Sequence, residues 1–243
     1  MLATFVGVAQ HKAYQDCLGK LGVRIVSLPA EPELPDAVFV EDAAIVLDEL
    51  AVISRMGAPS RRPEASTLVE TLSHYRPIKL LAEPATLDGG DVLIVDRSVF
   101  VGLSQRTNRE GFAQLINILR AYNYELHPIE VRGCLHLKSA CSYVGNNAML
   151  VNRSWIDAEQ LRRFELIDVP AGEPAGANAL LIDDVVIIPA YFPETAALVR
   201  RSFARRRLEK RGFRVRTVDL SELQKAEASV TCCALIFASH KGH

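Results

Sequence analysis

A unit of strand, tight turn, strand, helix and strand recurs along this 243-residue chain, and that recurrence limits the fold more than any other feature. The first copy reads VFVEDAAIV, then LAVISR, a helix from about Pro63 to Tyr75, then PIKLLAE. The second is DVLIVDRSVFVGL, a helix from about Arg109 to Tyr122, then YELHPIE. The third is CSYVGNNAMLVN, a helix from about Asp157 to Phe164, then ELIDVPA. The fourth is ANALLIDDVVIIPA, a helix from about Pro193 to Arg211, then FRVRTVDLS. Strands are read from short Val/Ile/Leu-rich runs bounded by Gly, Asn and Asp, and helices from apolar spacing such as Phe112, Leu115, Ile116 and Leu119. A fifth unit is split between the chain ends. VTCCALIF reads as its first strand, the helix from about Val8 to Leu21 follows, and VRIVSLPA reads as its third strand. Its second strand has no source, because MLATF is short and ASHKGH polar. Joining the ends makes a single domain over residues 1–243, a ring of five α/β units that avoids open sheet edges. Loops and strand ends converge at the mouth of its central channel, where a site is expected. A scaffold without chemistry is the competing reading.

The net charge of −1 gives no reason to expect nucleic acid or a membrane surface as partner. The basic run ARRRLEKRGFRVR, Ala204 to Arg216, reads as a solvated helix face, since no aromatic platform accompanies it. No apolar stretch reaches the roughly 18 residues of a membrane span, and the start lacks a signal-peptide pattern, so a cytoplasmic protein is expected. The cysteines are Cys17, Cys134, Cys141, Cys232 and Cys233. Their odd number and spacing fit neither a disulfide framework nor a zinc site, and free thiols are expected.

Three stretches break local rules. FVEDAAIV places Glu41 and Asp42 in an apolar strand, on opposite faces, with Asp36 shortly before. Carboxylates are rarely buried without partners, so a cation-binding role is weighed against caps and exposed edges. TLDGGDVL has Asp88 and Asp91 flanking Gly89 and Gly90, which suit a turn other residues disfavour. GCLHLKSACS sets His136 between leucines ahead of a strand. A lone His is more often a core residue, but with Asp88 to orient it and Cys232 or Cys233 nearby it would complete a Cys-His-Asp arrangement.

These stretches, with PDAVFVEDAAIV, GAPSRR, ATLDGGDVL, VGLSQRTN, HLKSACS and the terminal TCC, resemble the dimethylarginine dimethylaminohydrolase family of the guanidino-modifying (amidinotransferase) superfamily. The resemblance runs from about residue 7 to 237 and keeps the family's motif order. It implies a five-bladed α/β propeller, a pentein, and hydrolysis of methylated arginine to citrulline and a methylamine. It implies Cys232 as nucleophile, His136 as general acid/base and Asp88 as the residue that orients His136. Asp36, Glu41 and Asp42 would hold the guanidinium, and Arg61 and Arg106 the α-carboxylate of a small guanidino substrate. Ala226 and Glu227, just before the nucleophile, are also placed at the substrate. Paired carboxylates match a planar guanidinium, and a bound cation favours a neighbouring thiolate. No metal or organic cofactor is implied. On a strand Cys232 and Cys233 alternate, which leaves Cys233 in the core.

Two departures stand out. The family's first strand and lid loop have no counterpart before Val8, which is the absent second strand of the fifth unit. The chain is then naturally short, or its start is misplaced or trimmed, or the lid is supplied by a neighbouring molecule, and the exposed edge invites a homodimer. The family's Asp-Gly pair before the nucleophile is Glu227-Ala228 here, one methylene longer at the acid. Deimination of arginine or of another small guanidine is therefore the alternative activity.

Overall fold

The computed structural model describes residues 5–205 and 212–238. Four three-stranded sheets carry the chain: β1 (Ala44–Val46), β2 (Ala51–Ile53) and β3 (Ile78–Leu80); β4 (Val92–Val95), β5 (Ser98–Leu103) and β6 (Glu125–Glu130); β7 (Cys141–Gly145), β8 (Ala148–Val151) and β9 (Glu165–Asp168); β10 (Leu180–Ile182), β11 (Val185–Pro189) and β12 (Arg214–Val218). In each, the second strand is central, antiparallel to the first and parallel to the third. The turns between the antiparallel pairs use left-handed residues where a two-residue turn demands them: Asp96, Asn146 with Asn147, and Asp183. The chain is an α/β protein of mixed sheets, as its four intact repeats foretell.

The chain divides into two compact units. One comprises residues 31–138, 154–160 and 232–238. It holds the first two sheets, α2 (Arg62–Ser73) and α3 (Arg109–Leu119). Asn108 caps α3, its side-chain oxygen accepting the Gly111 N–H at 2.7 Å. Leu115 and Leu119, one turn apart, are fully buried with Ile45, Val52, Val92, Val99 and Val101. The other unit comprises residues 5–30, 139–153 and the described part of 161–231. It holds α1 (Phe5–Gly19), α5 (Pro193–Arg205) and the last two sheets, around Val144, Leu150, Val186, Ile188, Val199 and Phe203. The Glu173 carboxylate accepts the Glu194 and Thr195 N–H groups at 2.9 and 2.7 Å, satisfying donors that open α5. The expected helix ran to Arg211, and residues 206–211, with much of the basic run, lie outside the described residues.

Two short helices remain, α4 (Leu137–Ala140) and α6 (Ser221–Gln224). Gln10 of α1 ties to α6, donating to Ser221 Oγ at 3.0 Å and accepting the Glu222 N–H at 2.9 Å.

The structure corrects three expectations. The helix expected over 157–164 is a single 3-10 turn, Ala158–Leu161. Within that stretch only Leu161 and Phe164 are buried, which anchors no more than one turn. Among the described residues the fifth unit forms no sheet. Neither 23–30 nor 230–237 is assigned as strand. In the four intact sheets the second strand supplies every ladder bond to its neighbours, and no described segment plays that part here. Glu41 and Asp42 are not on a strand either but on a 3-10 turn, Val40–Ala43, leading into β1.

Candidate active site

The turn that opens β1 and the turn that opens β4 set the charged groups of one unit. A 3-10 turn spreads consecutive side chains by about a third of a revolution, so Glu41 and Asp42 diverge instead of alternating. Both are buried, at 6% exposure. Glu41 pairs with Lys138 Nζ at 2.6 Å, and its N–H donates to the Cys232 carbonyl at 3.1 Å. Asp42 accepts from Arg61 Nη1 at 2.6 Å through Oδ2 and from the Gly90 N–H at 3.1 Å through Oδ1. Burial works against its charge, yet His136 and Arg61 outweigh burial and hold the Asp42 carboxyl below its ordinary value.

The Gly89–Asp91 turn brings Asp88 to the ring of His136. Asp88 has no exposed surface. Its Oδ1 accepts the Gly57 N–H at 2.8 Å, and its Oδ2 lies 3.0 Å from His136 Nε2. The other ring nitrogen, Nδ1, is 3.7 Å from Asp42 Oδ1, too far for a hydrogen bond and close enough for charge attraction. Burial alone would discharge the ring. The charge of Asp42, the hydrogen bond to Asp88 and the charges of Asp91 and Asp88 outweigh it and raise His136 to about 9. At neutral pH the ring is therefore an imidazolium: Nε2–H donates to Asp88, and Nδ1–H has no hydrogen-bond partner among the described residues. Ligand-type atoms of Asp42, Asp88 and His136 lie within 4.8 Å of one another, a spacing a metal ion could use. Here the imidazolium is itself the cation among the carboxylates.

The His136 charge makes stability depend on pH. Its folded value, about 9, lies above the ordinary 6.5. The stability it contributes is complete below pH about 6.5 and is lost as pH rises through about 9. The melting temperature should fall over that window, and His136→Gln should flatten the fall. A parallel decline in both proteins would refute the assignment.

The two glycines of DGGD are required for space, not for left-handed backbone, since neither has positive φ. A Cβ on Gly90 would lie 2.7 Å from Asp42 Oδ1 and from His136 Nδ1, whereas one on Gly89 would lie 2.0 Å from the Glu41 carbonyl oxygen. Gly90→Ala is expected to displace the ring and cut kcat/KM by about 10²-fold or more with a modest fall in melting temperature. Gly89→Ala, meeting backbone, should chiefly unfold the protein. Thermal melts beside steady-state kinetics separate the two.

The two arginines differ. Arg61 is 8% exposed and heavily engaged: Nε and Nη2 donate to Glu64, Nη1 to Asp42, and Nη2 also to the Phe39 and Asp36 carbonyls at 3.3 and 3.4 Å. Burial opposes its charge, but Glu64 and Asp42 hold the guanidinium above its ordinary value. Arg106, in contrast, has a buried Nη1 with no partner among the described residues. A buried guanidinium nitrogen left unpaired calls for an anion.

Cys232 is half-buried and Cys233 buried, on a turn and not on the alternating strand expected. Burial first, then the charges of Glu41 and Asp42, push the Cys233 thiol up to about 12. The structure thus gathers Asp36, Glu41, Asp42, Arg61, Asp88, Arg106, His136 and Cys232 in one unit. Ala226 and Glu227 belong to the other, where Glu227 is exposed on left-handed backbone at φ 61°. Sequence reasoning missed Glu64 and Lys138, the partners of Arg61 and Glu41. Glu64 follows Arg61 at i+3 across a helix start, a readable signal, whereas Lys138 carried none.

The family model described as N,N dimethylarginine dimethylhydrolase, eukaryotic, matches residues 6–237. The chain is 34% identical to an N(G),N(G)-dimethylarginine dimethylaminohydrolase of Pseudomonas aeruginosa over 94% of its length and 87% of that protein. It is 32% identical to the like-named Streptomyces coelicolor protein over 95% of its length and 85% of that protein. The Pseudomonas aeruginosa enzyme solved with citrulline superposes with a TM-score of 0.85 at 32% identity, covering 93% of this chain and 86% of that one. The fold and the likeness define a hydrolase acting on the C–N bonds of linear amidines. Within that class, the chain belongs to the dimethylarginine dimethylaminohydrolase family. No described helix is long and apolar enough to cross a membrane.

Proposed function

We propose that this protein hydrolyses N-omega-methylated arginines, asymmetric dimethylarginine and monomethylarginine, to citrulline and dimethylamine or methylamine. The observation that carries the reading is the His136 ring held between Asp88 and Asp42, charged and with Nδ1–H uncommitted. A leaving amine needs a proton, and a protonated ring with one free N–H is the group to supply it. The buried acids suit a guanidinium, and the orphaned Arg106 nitrogen suits the α-carboxylate of an amino acid. Arg61, bonded to Asp42, would extend one Nη1–H toward the same carboxylate while keeping Asp42 ionised. Asp36 and Glu41 complete the proposed polar surround.

In this reading the Cys232 thiolate attacks the guanidinium carbon. The carbon–nitrogen bond to the methylated nitrogen breaks as His136 Nδ1–H protonates it. The products are the free amine and a thiouronium joined to Cys232. Water then adds to the same carbon, giving its proton to Nδ1. The carbon–sulfur bond breaks, the added hydroxyl loses its proton to solvent, where the free amine takes it up, and citrulline and the thiolate are released. The repeat pattern supports reading the four sheets as blades of a five-bladed propeller.

The test is a product assay. Purified protein is incubated separately with asymmetric dimethylarginine, monomethylarginine and arginine, and citrulline and amine are quantified. Equal yields of citrulline and dimethylamine support the reading. Citrulline from arginine alone replaces it with a deiminase, and no product from any of the three overturns it.

A further inference from the structure

We propose that Asp91 is a positioning residue that locks the His136 segment, the Asp88 turn and the Arg106 loop into one rigid assembly. This rests on the activity proposed above but concerns a residue outside the catalytic set. Asp91 has no exposed surface. Its Oδ1 accepts the N–H of Leu137, the peptide directly after His136, at 2.9 Å. Its Oδ2 accepts two hydroxyls, Ser104 Oγ–H at 2.6 Å and Thr107 Oγ1–H at 2.7 Å. Those residues bracket Arg106, and each hydroxyl oxygen then accepts backbone. Ser104 Oγ takes the N–H groups of Arg106 and Thr107 at 3.0 and 3.3 Å, and Thr107 Oγ1 takes the N–H of Asp88 at 3.2 Å.

The direction of this network is fixed. Ser104 Oγ accepts two backbone N–H groups, which leaves its hydroxyl to donate, and Asp91 Oδ2 accepts it together with the Thr107 hydroxyl. An ionised carboxylate accepts at all three contacts, whereas an amide with its oxygen on the two hydroxyls would set its NH2 against the Leu137 N–H, donor to donor. Space is equally fixed: a Cβ on Gly102 would lie 2.6 Å from Asp91 Oδ1 and 2.8 Å from the Leu137 Cβ. One buried carboxylate thus sets the distance between the proton donor and the proposed carboxylate anchor, which is the length of substrate the site accepts. It is also one of three carboxylates, with Asp42 and Asp88, whose charge favours the His136 imidazolium. Arg61 and Lys138, the nearby cations, are paired to Asp42 and Glu41.

The experiment compares wild type, Asp91→Asn and Ser104→Ala, in dimethylarginine kinetics and in NMR titration of the His136 ring. Asp91→Asn should raise KM and lower kcat together, about tenfold each, and shift the ring titration down by about one unit. Ser104→Ala cuts the Arg106 branch alone. It should raise KM several-fold while leaving kcat and the ring titration near wild type, and Asp91→Asn added to it should raise KM little further. A purely structural carboxylate would lower the melting temperature of Asp91→Asn while the ring titration stays at the wild-type value and Ser104→Ala leaves KM unchanged. That result overturns the proposal. Should wild type not turn over methylarginines, the activity reading fails, and the ring titration alone decides the role of Asp91. Should Asp91→Asn not fold, Thr107→Val replaces it: higher KM in both hydroxyl variants supports the assembly, and unchanged KM in both refutes it.

Discussion

Asp88→Asn should lower kcat for citrulline formation by about 10³- to 10⁴-fold, the scale seen when the acid behind a catalytic histidine becomes its amide. The geometry explains why so small a change would act so strongly. Asp88 Oδ1 is committed to the Gly57 N–H at 2.8 Å, and its Oδ2 to His136 Nε2 at 3.0 Å. An asparagine that keeps its oxygen on Gly57 presents its NH2 to Nε2. That nitrogen must then shed its proton to accept, which leaves a neutral ring with its hydrogen on Nδ1. Such a ring can neither protonate the leaving amine nor take a proton from water. The flipped amide faces Gly57 donor to donor, leaving two buried groups unsatisfied, which is worse. Size and burial are preserved, so the melting temperature should change little. The check is kcat over pH 5–9 beside a thermal melt of the same protein. Loss of less than tenfold would mean that Asp42 alone orients and charges the ring, and the role given to Asp88 would fall.

How much of this was legible beforehand varies by residue. The strand pairs of the four intact units declare themselves because Val, Ile and Leu runs are punctuated by Asp96, Asn146-Asn147 and Asp183, which take left-handed backbone at low cost. His136, Asp88 and Cys232 could be named from their motifs, and the first two do meet. The conformation of FVED could not be read. An apolar run with two acids looks like a strand until their partners are known, and those partners, Lys138 and Arg61, lie far along the chain. The glycines of DGGD were singled out for backbone freedom, yet they serve close approach, which depends on what packs across from them. The fifth unit shows the same limit from the other side. VTCCALIF and VRIVSLPA have strand-forming composition, but a strand is a pairing relation, and the central strand each would pair with is absent from the described residues. Asp91 was visible only as half of a turn, since its three partners come from two other loops.

The adjacent cysteines give the second large effect. Cys232→Ser should remove citrulline formation, a loss of about 10⁴-fold or more, because a serine hydroxyl, far harder to ionise than a thiol, is a far weaker nucleophile. Cys233→Ser should keep activity within a few-fold and cost stability instead, about 1–3 kcal/mol for placing a hydroxyl in a buried position. The contrast follows from surroundings, since the two thiols are chemically identical. Cys233 is buried, and burial together with the charges of Glu41 and Asp42 keeps its thiol protonated, up to about 12. Cys232 is half-buried, and its own carbonyl is held by the N–H of Glu41, the residue next to Asp42. That bond ties the backbone of the proposed nucleophile to the turn bearing Glu41 and Asp42. Alkylation with iodoacetamide followed by peptide mass mapping checks this independently of turnover. Cys232 should react at neutral pH and be protected by dimethylarginine, while Cys233 stays unmodified until the protein unfolds. Protection of Cys233 with free reaction at Cys232 would reverse the assignment, and the activity of the two serine variants should then reverse with it.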